Sequence, residues 1–399
     1  MSATWDAVVV GAGPAGSAAA YFMSLQGHKV LLADRSRFPR DKSCGDACTP
    51  RSCSVLRKMG VLDRISRRGQ RIERVRMISP RGRSITIPWA SREFGDEGYV
   101  IPRRSLDRLL VERAEQAGAC FRPATALRDV ETHREGVSVR WKDGSSDRSR
   151  LLIGADGAYS LVRRSLFAQD YAESHSAWAI RGYYDQVPLE DAQALIVSWE
   201  EELLPGYAWV FPTGPGSVNV GLGMRTPWMR RKGRKLRQLY DSFLEGSSPL
   251  ARMLGKGREA GRARGHYLPL GLHLPQIALP RVMLAGDAAG LINPFSGEGI
   301  EGALESGEMA AEAAAAWLQE GTFDERAALL YDRRVRRHFR RNYRICNALS
   351  HMIAYPVFVE RILKLTDRRP ASQRELIDLA FYGRGKLPWR TLLSIPFFK

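Results

Sequence analysis

The chain reads as an α/β protein. It has a βαβ-type first domain, a second domain on a mixed, mostly antiparallel sheet, and a helical C-terminal part. Three observations predict this. Residues 5–10 form a short apolar strand that runs into Gly11-Ala-Gly13-Pro14-Ala15-Gly16 and then a helix and a second strand. Two further apolar runs, at 151–153 and 282–284, each end in a glycine–aspartate turn. Between them, residues 177–223 carry strand-length runs of aromatic and β-branched residues.

In chain order, the strand at 5–10 leads through the glycine turn to a helix at 17–26 and a strand at 29–33. Residues 74–88 and 137–141 alternate as strands do, with a helix at 105–117 between them. AWAIRGYY, ALIVSW, YAWVFP and SVNVGLG supply the second sheet. Residues 299–317 form a long Ala/Glu helix with small residues on one face, and 324–380 read as helices. There is no internal repeat and no low-complexity linker.

With 399 residues, 44% of them hydrophobic, the chain can bury two or three domain-sized cores. Lys+Arg 61 against Asp+Glu 43 gives +18, which suits nucleic acid, anionic lipid or a polyanionic substrate. The basic residues are scattered, and no helix-turn-helix, zinc-finger or RNA-binding signature accompanies them, so nucleic acid is not expected. The densest run, RRVRRHFRRNYR at 333–344, fits a phosphate-bearing or membrane-embedded substrate as well as a solvated helix face. The tail LPWRTLLSIPFFK at 387–399 suits docking on the protein's own core or a membrane interface. Five cysteines, an odd number in a long chain, point to a reduced, cytoplasmic protein, with peripheral association at a membrane surface as the variant. Cys44, Cys48 and Cys53 lack C-x-x-C spacing and a nearby His, so no metal site is expected. No run reaches 18 apolar residues, and the glycine-punctuated first run is neither a signal peptide nor a span.

Three stretches look built to hold parts of one nucleotide. Gly11 allows the tight turn, Gly13 lets a pyrophosphate approach the backbone, and Gly16 packs helix on strand. Pro14 and Ala15 open the helix, whose N-terminus offers free N–H groups to phosphates. Asp34, with Arg35 beside it, lies 18 residues past Gly16, where a carboxylate accepts from an adenosine ribose. That acid disfavours a 2′-phosphate, so NADP is not expected here. Asp287 is placed to bond a ribityl or ribose hydroxyl. Gly297, Gly299 and Ile300 open the long helix, whose dipole favours negative charge on a reduced flavin ring. Asp156 either contacts the nucleotide or closes its own turn, and Arg103 or its neighbour Arg104 meets the nucleotide. Together these stretches make the cofactor FAD.

In this order, GAGPAG, FPRDKSCGD, PRRSLD, GADG and GDAAGLINPFSGEGI resemble the flavoprotein group that includes p-hydroxybenzoate hydroxylase, flavin halogenases and geranylgeranyl reductases. Lys42–Asp46 with Pro50-Arg51, AIRGYY at 179–184, and YAWVFP at 207–212 followed by Gly221 and Gly223, resemble the geranylgeranyl reductase branch. The resemblance runs from about residue 5 to 320 and leaves the last 70 or so residues without a motif. It implies an FAD-binding domain at 1–75, 100–168 and 278–325, a substrate-binding sheet domain at 76–99 and 169–277, and a C-terminal helical region at 326–399. It implies saturation of isoprenoid double bonds. It places Gly11, Gly13, Gly16, Asp34, Arg103, Asp287, Gly299 and Ile300 at FAD. Cys44, Gly45 and Asp46 would lie near the isoalloxazine, and Tyr207, Trp209 and Phe211 would line the substrate pocket. Ala47-Cys48 depart from the family, which often has glycine and then an aliphatic residue there.

Reduction of an unactivated alkene needs a hydride equivalent and a proton. A thiol of ordinary pKa is mostly protonated at neutral pH, so Cys44 either donates or positions that proton, or packs as a small hydrophobe. Tyr207 and Trp209 share one strand face, which suits a prenyl channel or plain core. No second dinucleotide fold is visible, so the electron donor is NAD(P)H binding transiently or a reduced carrier such as ferredoxin. The alternative is an FAD-dependent monooxygenase or halogenase on a natural-product scaffold, although the halogenase motif G-W-x-W-x-I-P is missing.

Overall fold

A computed structural model describes residues 5–246 and 248–382. The first sheet has a parallel core in the order Val282–Leu284, Ser146–Gly154, Trp5–Val10, Val30–Ala33, Cys120–Arg122. Val8, Val9, Leu31, Leu32 and Leu151–Ile153 are fully buried, as a sheet covered on both faces requires. The Leu127–His133 and Gly136–Trp141 hairpin extends it through antiparallel pairing to Ser146–Gly154.

Helix Pro14–Leu25 packs against helix Ile300–Glu320. The small-residue face expected of the long helix is what makes this contact: a Cβ on Gly307 would sit 2.3 Å from the Ala15 carbonyl oxygen. Ala310, Ala311 and Ala314 bury the same face.

The second sheet runs Arg258–Glu259, Ser176–Asp185, Ser217–Arg225, Tyr207–Gly214, Ala194–Ser198, Arg74–Ile78, Ser84–Pro88, with Arg264–Pro269 also pairing to Ser176–Asp185. Every pairing is antiparallel except Ala194–Ser198 with Arg74–Ile78. That parallel step recruits the 74–88 hairpin from far earlier in the chain. Val218 and Val220 pack under Leu239, Tyr240 and Phe243 of helix Leu236–Glu245. At the hairpin end, Val75, Met77 and Leu195 meet Phe358, Leu363 and Leu379 of the C-terminal helices.

A small third sheet, Ala47–Cys48, Gly98–Val100 and Gln70–Ile72, was not expected, because strands of two or three residues leave no alternation to read. The C-terminal helices are Glu325–Met352, Pro356–Arg368 and Pro370–Tyr382, the last two each opened by a proline. The tail at 387–399 lies outside the described residues.

Candidate active site

The glycine loop is forced by backbone contact. Gly11 has φ +100°, and a Cβ there would sit 2.3 Å from the Ala155 carbonyl oxygen. A Cβ on Gly16 would fall 1.8 Å from the Gly11 carbonyl oxygen. Only glycine fits either place. The helix that follows has no side-chain N-cap and no acid in its first turn. Beside it lie two cations: a Cβ on Gly13 would be 3.5 Å from the Arg40 guanidinium and 3.9 Å from that of Arg103. An uncapped helix N-terminus flanked by two arginines fits the pyrophosphate of a dinucleotide.

Asp34, at the end of its strand, accepts from the Ala12 N–H at 2.8 Å and the Ser36 N–H at 2.8 Å. It therefore ties the glycine loop to the second strand. Arg103 is buried and holds Asp107 through two hydrogen bonds of 2.8 and 2.9 Å, while Arg40 reaches the same carboxylate at 2.9 Å. Asp287 is buried and pairs with Lys42 at 2.8 Å. Burial alone would raise its carboxyl, but the Lys42 ammonium outweighs this and holds it below the ordinary aspartate value. The Tyr171 hydroxyl donates to the Ala288 carbonyl at 2.8 Å and secures the turn.

Asp156 lies against the glycine loop, its Cα 2.8 Å from the Cβ position of Gly11, and the charge of Arg35 reaches His266. Arg35 is exposed and outside the cavity wall. Asp156 serves its own turn: Ser160 Oγ and the N–H groups of Leu161 (2.6 Å) and Val162 (3.2 Å) use its carboxylate.

A cavity of about 240 Å³ lies where the two sheets and the C-terminal helices meet. Pro14, Arg103, Asp287, Gly297, Gly299 and Ile300 form one wall, and Cys44, Gly45 and Asp46 another. Tyr207, Trp209 and Phe211 line it from the second sheet. Trp209 needs the glycine opposite it, since a Cβ on Gly221 would lie 2.3 Å from the indole. Gly45 packs on the same aromatics, its Cβ position 3.1 Å from Phe211. Leu363, Leu376 and Leu379 roof the cavity.

Asp46 is fully buried with φ +66°. Its Oδ2 accepts from Tyr183 at 2.6 Å and from Asn219 at 2.7 Å, and its Oδ1 from the Arg103 N–H at 3.3 Å. Burial raises its carboxyl to about 6, against the pull of those donors and of Arg181 and Arg103. Cys44 Sγ accepts from the Asp46 N–H at 3.3 Å, and burial pushes the thiol above its ordinary value. Asn219 also donates to the Cys44 carbonyl at 2.7 Å and accepts from Trp209 Nε1 at 2.9 Å.

Sequence reasoning passed over Arg40, Lys42, Tyr183, Asn219, His266 and Glu298. Asn219 carried a signal, a lone amide in a run that reads as buried strand. His266 lines the cavity with Nε2 unpartnered among the described residues, and burial, then Lys42, lowers its imidazole to about 4. A neutral imidazole with a free ring nitrogen adds a polar handle for a bound group.

The profile of the FAD binding domain matches residues 4–212, and that of the geranylgeranyl reductase catalytic domain matches 181–256. The menaquinone reductase of Mycolicibacterium smegmatis is 34% identical over 97% of this chain and 93% of its own. The geranylgeranyl diphosphate reductase of Rhodobacter capsulatus is 35% identical over 79% of this chain and 76% of its own. The chain belongs to the geranylgeranyl reductase family of FAD-binding flavoproteins. A geranylgeranyl bacteriochlorophyll reductase-like protein from Thermoplasma acidophilum shares the fold, with TM-score 0.81, 23% identity, and 95% and 97% of the two chains covered. The expected α/β architecture and the FAD-dependent oxidoreductase class both hold.

Proposed function

We propose that the protein is an FAD-dependent reductase that saturates carbon–carbon double bonds in the isoprenoid tail of a quinone-class lipid. The observation that carries this reading is the apolar cavity. It opens on Cys44–Asp46 and Gly297–Ile300 at one end and is walled by Val75, Met77, Leu363 and Leu379 at the other. A prenyl chain is the substrate class such a slot accepts. The menaquinone reductases, similar over nearly the whole chain, support a quinone headgroup.

Bound FAD in its reduced form supplies the hydride equivalent. The glycine loop, Arg40 and Arg103 hold the pyrophosphate, Asp34 faces the ribose, and the Lys42–Asp287 pair fixes the turn before the long helix. The helix dipole at Ile300 favours negative charge nearby. The leucine roof excludes water from the alkene. Electrons enter from NAD(P)H or from a reduced carrier such as ferredoxin.

No helix among the described residues is long and apolar enough to cross a membrane. Access to a membrane lipid is better served by peripheral attachment. Arg333, Arg337, Arg340, Arg341 and Arg344 form an exposed row on helix Glu325–Met352, beside a groove that Leu349 shares with the cavity. Tyr355 (66% exposed) and Val357 (48%) stand just beyond. A basic row next to exposed apolar side chains suits an anionic lipid surface.

The test is an anaerobic assay of purified, yellow protein with reduced donor and a polyprenyl quinone, read by mass spectrometry. The expected product gains two hydrogens per double bond reduced. Protein that stays colourless after incubation with FAD overturns the reading. Consumption of substrate only in air, with oxygen or halide in the product, replaces it with the monooxygenase or halogenase reaction.

A further inference from the structure

Each alkene reduced consumes one hydride and one proton. The proton must reach an apolar chamber and be replaced between turnovers. Cys44 and Asp46, already described, line this chamber, and its lining holds a third group.

Glu298 lies between Gly297 and Gly299, just before helix Ile300–Glu320, and lines the chamber. Its Oε1 accepts from the Glu301 N–H at 2.7 Å. Glu301 is buried, and its Oε2 accepts from Thr49 Oγ1 at 2.8 Å. Arg51, also buried, lies 3.3 Å from Glu301 and grips Glu305 at 2.7 and 2.8 Å. His338 touches Glu305 at 2.9 Å and Arg51 at 2.6 Å, and its side chain is 31% exposed. These contacts tie the chamber to His338, with Arg51 bridging Glu301 and Glu305 and the Glu301 N–H meeting Glu298. Glu301 and Glu305, four residues apart, share one helix face, and Glu298 lies three residues earlier, ahead of the first turn.

We propose that Glu298 is the proton donor to the isoprenoid double bond, and that the row of Glu301, Glu305 and His338, held by Arg51 and Thr49, positions it at the chamber. This rests on the reductase reading above. In the step, the alkene takes a hydride from the reduced flavin on one carbon and the Glu298 proton on its neighbour. Two C–H bonds form, the π bond is lost, the flavin is oxidised, and Glu298 is left as carboxylate. A proton taken up from solvent between turnovers restores it.

The charge environment agrees. Burial, then Glu301, drives the Glu298 carboxyl well above its ordinary value. Burial raises Glu301 to about 7 against the pull of Arg51, while Glu305 stays low, where burial is outweighed by His338 and Arg51. The other groups facing this row are Tyr207, Tyr343 and Tyr382, all raised by burial, and Cys48. A carboxyl held well above its ordinary value keeps a transferable proton, whereas a thiol raised by burial is a weaker acid than an ordinary thiol.

The experiment compares holoenzyme with the Glu298→Gln variant. At about pH 9, above the values of about 6 and 7 for Asp46 and Glu301, wild type is expected to show the infrared carbonyl band of a protonated carboxyl, and the variant to lack it. Flavin content and dithionite reduction of the flavin stay as in wild type, while isoprenoid reduction falls by about 100-fold or more. A band absent from wild type, a band that persists in the variant, or variant turnover equal to wild type overturns the proposal. The infrared measurement uses no substrate. A wild type that keeps the band yet leaves every isoprenoid unreduced overturns the reductase reading instead.

Discussion

The two walls of the chamber each carry a buried acid, and they treat it differently. Asp46 is wrapped by donors: the Tyr183 hydroxyl, the Asn219 amide and the Arg103 N–H all point at its carboxylate. Glu298 meets the Glu301 N–H, with further carboxyls beyond it. Burial raises both. Asp46 is drawn back to about 6, whereas Glu298 is pushed further up by its neighbours. Burial in one cavity thus raises both acids, with hydrogen-bond donors opposing it at Asp46 and neighbouring carboxyls adding to it at Glu298. The first suits holding the Cys44–Gly45 backbone turn. The second suits giving a proton away.

The largest break in this contrast comes from Asn219→Leu. That change removes a donor to Asp46, a donor to the Cys44 carbonyl and the acceptor for Trp209. Leaving buried partners unpaired costs about 1–3 kcal/mol for each group, so a loss of several degrees in Tm is expected. With a donor gone, Asp46 should titrate higher, and the acid limb of the pH–rate profile should move upward. An unchanged profile would separate Asp46 from turnover.

Asp46→Asn gives a cleaner, smaller effect. Folded Asp46 holds its proton up to about 6, above the ordinary value of 3.8. Between those pH values the folded state binds more protons than the unfolded one. Its contribution to stability is therefore full below about pH 4 and is lost as pH rises to about 6. Thermal melts should show wild type losing stability relative to the variant across that window. Parallel curves would show that Asp46 is not the titrating group.

Tyr183→Phe is smaller again. It deletes one hydrogen bond to a carboxylate, worth about 1.5–3 kcal/mol in general, and shifts Asp46 upward without touching Glu298. The infrared band assigned to Glu298 should stay in place while the pH–rate profile moves. If both move, the two acids are linked through the chamber.

How legible each wall was in the sequence follows from how local its causes are. Gly16 could be read because its contact with Gly11, five residues back, admits no side chain, and Gly11 because the turn needs its positive φ, although the strand end that crowds it lies at Ala155. Asp34 could be placed by its distance from them, yet its bonds to Ala12 and Ser36 needed coordinates. Arg35 was read by adjacency, but the strand end turns it outward, and Arg40 arrives from the following loop. Asp156 shows the opposite case, an acid in a suggestive turn whose partners are its own next residues. The leucine roof was illegible. Leu363, Leu376 and Leu379 have the spacing of any packed helix, and only the docking of residues more than 150 positions beyond Tyr207 makes them chamber wall. Glu298 was hidden differently: the two glycines beside it explained the run, so the acid between them drew no separate reading.

The smallest expected effect, and the sharpest use of the comparison, is Cys44→Ala. From sequence, the thiol was the candidate donor. In the structure its sulfur accepts from the Asp46 N–H, and its backbone carbonyl, not the side chain, holds Asn219. Alanine keeps that carbonyl and the turn. Burial also raises the thiol, which makes it a weaker acid than an ordinary thiol. The variant should therefore bind FAD as wild type does and lose about tenfold or less in isoprenoid reduction, well short of Glu298→Gln. Equal losses in the two variants would mean that the proton leaves from the Cys44 wall and that the acids' roles are reversed. Rates measured side by side on one quinone, with flavin content as the control, decide between the walls.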